Sequence, residues 1–368
     1  MKKIVISAVN LTEGGVLSIL NECLEYVSGN LLDSYEIIAL VNDDRQLKHK
    51  GIKFYSFPWA KKSWLARLYY EYVYSLFLSK KLKPYLWFSL HDITPNVVSD
   101  VRAVYCHNPS PFHKISFRDI CLDFKFALFN FFYRYLYAVN IAKNDFVIVQ
   151  QNVLRDKFRH FFKKIGKIVV AYPRIDPKVR IVPVDQEKNI FFYPAFPRVC
   201  KNFEVICNAA KILLQQGIHN FQVIFTISGN ENRYSKHLYS LFGDIENIKF
   251  CGYQSREDLL QLYNKARCVI FPSKLETWGV TISEAKYFSR PIFLADLDYA
   301  HETIGKYDKV KFFDPEDPAQ LALTMKDMIC GEVAFQATDG VCVASPFARN
   351  WKELFDILLS GQDKKRKI

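Results

Sequence analysis

The chain has 368 residues, 50 Lys plus Arg against 38 Asp plus Glu, a formal net charge of +12, half of its residues apolar and 15% aromatic. That is length for two domains and ample apolar surface to bury, which excludes disordered, collagen-like and low-complexity classes. Nine scattered cysteines, nowhere spaced as CxxC, suggest neither a disulfide framework nor a zinc site.

The N-terminus enters an apolar run, Ile4 to Val9, too short for the hydrophobic region of a signal peptide, so a cytosolic setting is expected. Apolar runs predict strands over residues 3–9, 36–41, 53–57, 86–90, 103–106, 146–150 and 168–171, with a periodic helix over 16–27. The pattern restarts with strands over 189–193, 222–227, 248–251, 268–272, 291–295 and 310–312, separated by helices such as 202–215 and 256–266. Strands alternating with helices predict parallel sheets, hence two doubly wound α/β domains. Residues 172–184, with Pro173, Pro177 and Pro183, suit a linker, because proline removes a donor and resists regular structure. The expected division is therefore 1–184, 185–345, and a tail 346–368 whose helix, 347–359, packs back toward the first domain and ends in basic Lys364 to Lys367.

Charge is unevenly placed. Residues 1–184 hold 27 basic and 15 acidic side chains, whereas the remainder holds 23 of each. A basic half can meet nucleic acid, an anionic membrane or a phosphorylated substrate. Residues 59–70 mix Trp59, Trp64, Tyr69 and Tyr70 with Lys61, Lys62 and Arg67, and continue to Lys80, Lys81 and Lys83; this suits a headgroup zone. Residues 112–137 place ten aromatics around Lys114, Arg118, Lys125 and Arg134, and read equally as a membrane-facing surface or as core helices with snorkelling cations. The apolar stretch 126–142 falls short of the ~20 residues a spanning helix needs.

The first strand ends in Asn10-Leu11-Thr12-Glu13-Gly14-Gly15-Val16, where paired glycines offer backbone N–H groups at a helix start, a good place for phosphate. The strongest constellation is Phe271-Pro272-Ser273-Lys274-Leu275-Glu276-Thr277-Trp278-Gly279-Val280-Thr281-Ile282-Ser283-Glu284-Ala285. With a helix starting near Trp278, Glu276 lies in the preceding loop, Glu284 two turns in, and the Gly279 to Thr281 amides face a docked anion. Carboxylates for sugar and ribose hydroxyls, with amides for phosphate, suit a nucleotide sugar.

This stretch closely resembles the Pro-Ser-x-x-Glu-x-x-Gly-x-x-x-x-Glu-Ala signature of the family-4 retaining glycosyltransferases. Phe250-Cys251-Gly252-Tyr253 with Leu259, Leu262 and Tyr263, then Asp296 to Glu302, and Phe313 to Pro318, are also similar to that family. The first half is similar only at the glycine pair and at Tyr105-Cys106-His107-Asn108-Pro109. The resemblance implies a GT-B fold, two Rossmann-like domains facing across a cleft. It implies that Glu284 holds the donor ribose, Glu276 the transferred sugar, and Gly14, Gly15, Thr277, Gly279, Val280 and Thr281 the diphosphate, with Gly252 and Tyr253 beside the base. His107 matches the family histidine near the anomeric carbon and is grouped with Glu276 as catalytic. Lys201 matches the family lysine; the usual arginine position holds Phe196, so Arg198 is taken as the second cation on reach.

No metal or cofactor is expected; Asp296-x-Asp298 and Asp43-Asp44 read as turn and loop surface. The expected function is a peripheral-membrane retaining glycosyltransferase, moving sugar from a nucleotide diphosphate sugar to a lipid-linked saccharide in bacterial surface-polysaccharide assembly, at the inner face of the cytoplasmic membrane. The competitors are a GT-B nucleotide-sugar epimerase and a basic nucleic-acid-binding protein, although no nucleic-acid motif is recognisable.

Overall fold

The computed structural model of the protein describes residues 1–12, 14–45, 47, 49–173 and 189–360. The linker beyond Pro173, the 184/185 division, Glu13 and the Lys364 to Lys367 tail lie outside the described residues. The strands are β1 (Lys2–Ala8), β2 (Tyr35–Val41), β3 (Lys53–Ser56), β4 (Leu86–Ser89), β5 (Val101–Cys106), β6 (Phe146–Val149), β7 (Lys167–Ala171), β8 (Asn189–Tyr193), β9 (Phe221–Phe225), β10 (Ile248–Phe250), β11 (Cys268–Phe271), β12 (Ile292–Ala295), β13 (Lys306–Phe313), β14 (Gln336–Asp339) and β15 (Phe347–Ala348).

They form two sheets, ordered β15-β7-β6-β5-β4-β1-β2-β3 and β10-β9-β8-β11-β12-β13-β14. All described pairings are parallel except β13 with β14. Both sheets are doubly wound, as the alternating pattern predicts. Parallel strands carry helices on both faces, so they read as continuous apolar runs. In β1, Ile4, Ile6 and Ala8 enter one buried layer while Val5 enters the other.

Contacts divide the chain into two compact units: Met1–Phe112, Phe132–Arg174 and Val343–Ile368 form the first, and His113–Phe131 with Ile175–Cys342 the second. The division is thus not a single cut in the chain. His113–Phe131 holds the short helix Phe117–Leu122, started by a reciprocal Ser116–Asp119 capping box, and the first turns of the helix Phe124–Ala138. Within the second unit Phe126 packs with Cys200 and Leu275, and Arg118 pairs with Glu204.

Two elements depart from the sequence reading. Residues 347–359 do not form one helix: Phe347–Ala348 pairs with β7, and the helix is Trp351–Ser360. The outer edge of β7 has donors to satisfy, and Val170 and Tyr172 give their N–H groups to Pro346 and Ala348 carbonyls at 3.1 and 3.2 Å. Asn350 then accepts the Glu353 N–H at 2.9 Å and starts the helix, whose Leu354, Phe355 and Leu358 complete the first unit's core. β14 gave no apolar signal because three of its four residues are exposed on a sheet edge. No helix among the described residues is long and apolar enough to cross a membrane.

A buried ionic triad sits in the first unit. The helix Trp64–Tyr69 passes through a π-helical turn, Tyr70–Tyr74, into Ser75–Leu82, and the turn places fully buried Glu71 2.9 Å from Arg67 and 3.0 Å from His91. Burial opposes the Glu71 charge, but Arg67 and His91 hold it below the ordinary carboxylate range. Burial depresses His91 against the pull of Glu71. Both groups bind protons less readily folded than unfolded. Their contribution is therefore complete above the unfolded histidine value, about 6.5, and is lost on acidification. Glu71→Gln should lower unfolding free energy by about 3–5 kcal/mol at pH 7.5, because it strands Arg67 in the interior. Urea unfolding followed by tryptophan fluorescence checks this, since Trp59, Trp64, Trp87 and Trp351 of the five tryptophans lie in this unit; the parent should itself weaken from pH 7.5 to 5.

Candidate functional site

In the second sheet the chain runs outward one way from β8 to β10 and the other way from β11 to β13, so β8 and β11 flank the topological switch point, where ligands bind beyond the carboxyl ends. Two loops meet there. One follows β8 and carries Arg198 and Lys201; the other follows β11 and carries Glu276. Lys274 N–H donates to the Cys200 carbonyl at 2.8 Å, and the Tyr193 hydroxyl donates to the Lys201 carbonyl at 3.0 Å. The Lys201 ammonium donates to Glu276 at 2.5 Å. Burial works against its charge, yet Glu276 keeps Lys201 above the ordinary lysine range.

The loop after β11 ends at Gly279, which has φ +85 and leads into the helix Val280–Tyr287. The helix therefore starts at Val280, two residues later than the sequence reading, and Glu284 lies just over one turn in rather than two. Its first amides still point toward the loop's side. Trp278 Nε1 donates to Ser283 at 3.0 Å and Tyr299 donates to the Ser273 carbonyl at 2.5 Å, which fix the loop on both sides. Thr277 is half-buried in that loop, and Thr281 donates to the Pro194 carbonyl at 3.3 Å, tying the helix to the β8 loop.

Glu284 is buried and ion-paired with Arg256, the first residue of the helix Arg256–Lys265. That pair brings the segment after β10 to the same site. Gly252 there has φ +75, and the Tyr253 ring beside it is 93% exposed, free to meet a planar group. Behind Glu284, burial and that carboxylate push the Tyr263 phenol well up. Arg198 does not point into open space: it pairs with buried Asp123 at 2.9 Å and lies over the Phe126 and Phe196 rings.

Sequence reasoning found neither Asp123 nor Arg256. Asp123 lies 75 residues from Arg198, and no periodicity marks such a pairing. Asp296 pairs with His301 at 2.7 Å in the turn after β12, consistent with its reading as a turn. Asp43 is half-buried, and the Arg45 guanidinium holds its carboxyl down at about 2.

The remaining candidates lie in the first unit, whose switch point falls between β1 and β4. Gly14, with φ +64, and Gly15 open the helix Gly14–Asn30 after β1; a Cβ on either would meet nothing within 4 Å. His107 follows β5, with its side chain 9% exposed.

Residues 175–337 match the sequence profile of the family described as Glycosyl transferases group 1. That match falls within the second unit. A curated relative, the D-inositol 3-phosphate glycosyltransferase of Mycolicibacterium vanbaalenii, is 27% identical over 125 residues, 34% of this chain and 27% of its own length; the chain thus spans about a quarter of that relative. Among solved structures, the lipopolysaccharide outer core galactosyltransferase WaaB superposes with a TM-score of 0.61 at 15% identity over 91% of this chain and 92% of its own. Anabaena HepE in complex with UDP-glucose gives 0.60 at 14% identity over 89% and 90%. The fold is GT-B, as in these structures, and in the second unit Lys201, Glu276, Gly279, Thr281 and Glu284 come together at one switch point.

Gly279 holds a left-handed backbone with little room for a side chain. A Cβ would add a left-handed side chain 3.0 Å from Ile282 and 3.3 Å from the Phe271 ring. Gly279→Ala should cost about 1–2 kcal/mol from the backbone conformation alone, read as a lowered thermal midpoint.

Proposed function

We propose that the protein transfers a sugar from a nucleotide diphosphate sugar, with retention of anomeric configuration, to a lipid-linked saccharide at an anionic membrane face. The observation that carries the donor half is the pairing of Lys201 with Glu276 and of Arg256 with Glu284 around the start of the helix Val280–Tyr287. Without donor, each cation is met by a carboxylate of the same site. A diphosphate offers Lys201 a second anionic partner; Glu276 is then released to hydroxyls of the transferred sugar, the helix amides to phosphate, and Glu284 to the ribose. The departing phosphate oxygen takes the acceptor's proton on the same face, while His107 holds the sugar near its anomeric carbon; protein groups position and stabilise charge. The solved relative that binds UDP-glucose supports this donor class.

The acceptor half rests on surface chemistry. On the run Trp64 to Leu82, Leu65, Tyr69, Val73 and Phe77 recur every fourth residue and are exposed, with Trp64 beside them. Lys61, Lys62, Lys80 and Lys81 at its two ends are exposed as well. Such a helix face suits a lipid headgroup zone. In the second unit Phe117, Ile120, Phe124 and Leu128 form a like stripe, while Phe126 on the other side is core; residues 112–137 thus serve both readings at once. A relative named for the lipopolysaccharide outer core supports a saccharide acceptor of bacterial surface polymer, such as O-antigen, capsule or lipopolysaccharide.

Two measurements test this. In a thermal-shift panel of UDP-, GDP-, ADP- and dTDP-sugars, one series should stabilise the protein, by about 2.7 kcal/mol at 100 times its dissociation constant. With that donor, Glu284→Ala should weaken binding and Glu276→Ala should chiefly lower kcat, since only the latter grips the departing sugar. Silence across the panel, or unchanged kinetics in both folded variants, rejects the donor site. Flotation with vesicles containing anionic lipid should retain the parent, weaken with salt and drop when Lys61, Lys62, Lys80 and Lys81 are all changed to Gln, each near-surface cation contributing ~1 kcal/mol. Equal flotation of parent and variant rejects the membrane face.

A further inference from the structure

We infer that Asp92 is the positioning residue for His107, and that it makes the His107 Nδ1 an acceptor for a hydroxyl of the transferred sugar. This rests on the reading of His107 given above. Asp92 follows β4, beside the first unit's switch point, and His107 follows the neighbouring β5. The Asp92 carboxylate is buried and gathers donors from three places. Its Oδ1 accepts the His107 N–H at 2.7 Å, the Asn108 N–H at 3.2 Å and the Tyr137 hydroxyl at 2.8 Å. Its Oδ2 accepts the Tyr133 hydroxyl at 3.2 Å and stands 3.5 Å from His107 Nε2. One side chain therefore fixes the backbone at residue 107 and stands beside the edge of its ring.

Three further observations point the same way. Asp92 has φ +68, a left-handed conformation that a non-glycine residue holds only where its surroundings over-determine it, commonly at functional sites. Burial, with the Asp92 charge beside them, pushes the Tyr133 and Tyr137 phenols well up, so both remain donors to the carboxylate. And the His107 Nδ1 is buried without a hydrogen-bond partner among the described residues. With the ring proton on Nε2, facing the carboxylate, Nδ1 carries the lone pair and is left for a ligand hydroxyl. A buried ring nitrogen without a partner is costly unless something binds it.

The buried carboxylate of Glu71 is engaged separately, by Arg67 and His91. Tyr133 and Tyr137 lie one turn apart on the helix Phe124–Ala138, their rings 5.4 Å apart, and seal the carboxylate from water.

The test uses the full-length chain. Asp92→Asn keeps the size and the tolerance of a left-handed φ but removes the charge. With nitrogen-labelled histidine, the parent His107 imidazole, assigned by its loss in His107→Ala, should show a single tautomer protonated on Nε2; Asp92→Asn should show a mixture. With the donor found in the panel, Asp92→Asn should lower kcat by up to about 100-fold with KM near the parent's, and should lower it no further in a His107→Ala background. Tyr137→Phe, which preserves ring packing, should act in the same direction more weakly and serves if Asp92→Asn does not fold. A parent-like tautomer in the folded variants, or losses that multiply with that of His107→Ala, overturns the inference. If His107→Ala is slow and Asp92→Asn is not, the reading of His107 stands and the role of Asp92 falls; if His107→Ala turns over donor like the parent, it is the reading of His107 that falls.

Discussion

Two parallel strand pairings, β1 with β4 and β8 with β11, set where everything else in this protein can be. Each is the point at which a sheet reverses its direction of winding, so the loops leaving the paired strands separate and open a crevice at their carboxyl ends. In the second unit that crevice receives Lys201, Glu276 and the start of the helix bearing Glu284. In the first it receives the glycine pair on one side and Asp92 on the other, with His107 one strand further along. The helices on both faces keep the sheets dry, and the polar groups are driven to the strand ends, where backbone groups can still be satisfied.

Charges placed in such crevices need partners. Lys201 with Glu276, Arg256 with Glu284 and Arg198 with Asp123 each combine a partly covered cation with a carboxylate that is more deeply covered. Neither charge of a covered pair is tolerated alone, because removing one partner leaves the other desolvated without compensation. The same logic governs the Arg67, Glu71 and His91 triad, which is buried throughout and offers no surface to a ligand. The difference between a site and a structural cluster is therefore accessibility: the donor-site cations remain a third or more exposed at Arg198 and Arg256, whereas Arg67 is closed off.

The segment His113–Phe131 shows how one stretch can serve two surfaces. Its inward residues, Asp119, Asp123 and Phe126, satisfy the second unit through capping, ion pairing and packing, while Phe117, Ile120, Phe124 and Leu128 remain outside. Aromatic content alone cannot say which ring goes where. The capping box at Ser116 and Asp119 and the pairing of Asp123 with Arg198 set the rotation of the helices, and that rotation decides which apolar side chains face solvent.

The sequence by itself determined the doubly wound class, the position of nearly every strand and the loop carrying Glu276 and Glu284, because apolar runs, helical spacing and a left-handed glycine are local properties of the chain. It misplaced the start of the helix after Gly279 by two residues and read the last element as one helix, since a two-residue strand on β7 leaves no periodic trace. Tertiary structure alone decided that Arg198 meets Asp123, that Arg256 meets Glu284 and that Asp92 clamps His107. These partners are 75, 28 and 15 residues apart along the chain. They are brought together by strand order, which is fixed by how the whole sheet buries its two faces and not by anything the residues themselves carry.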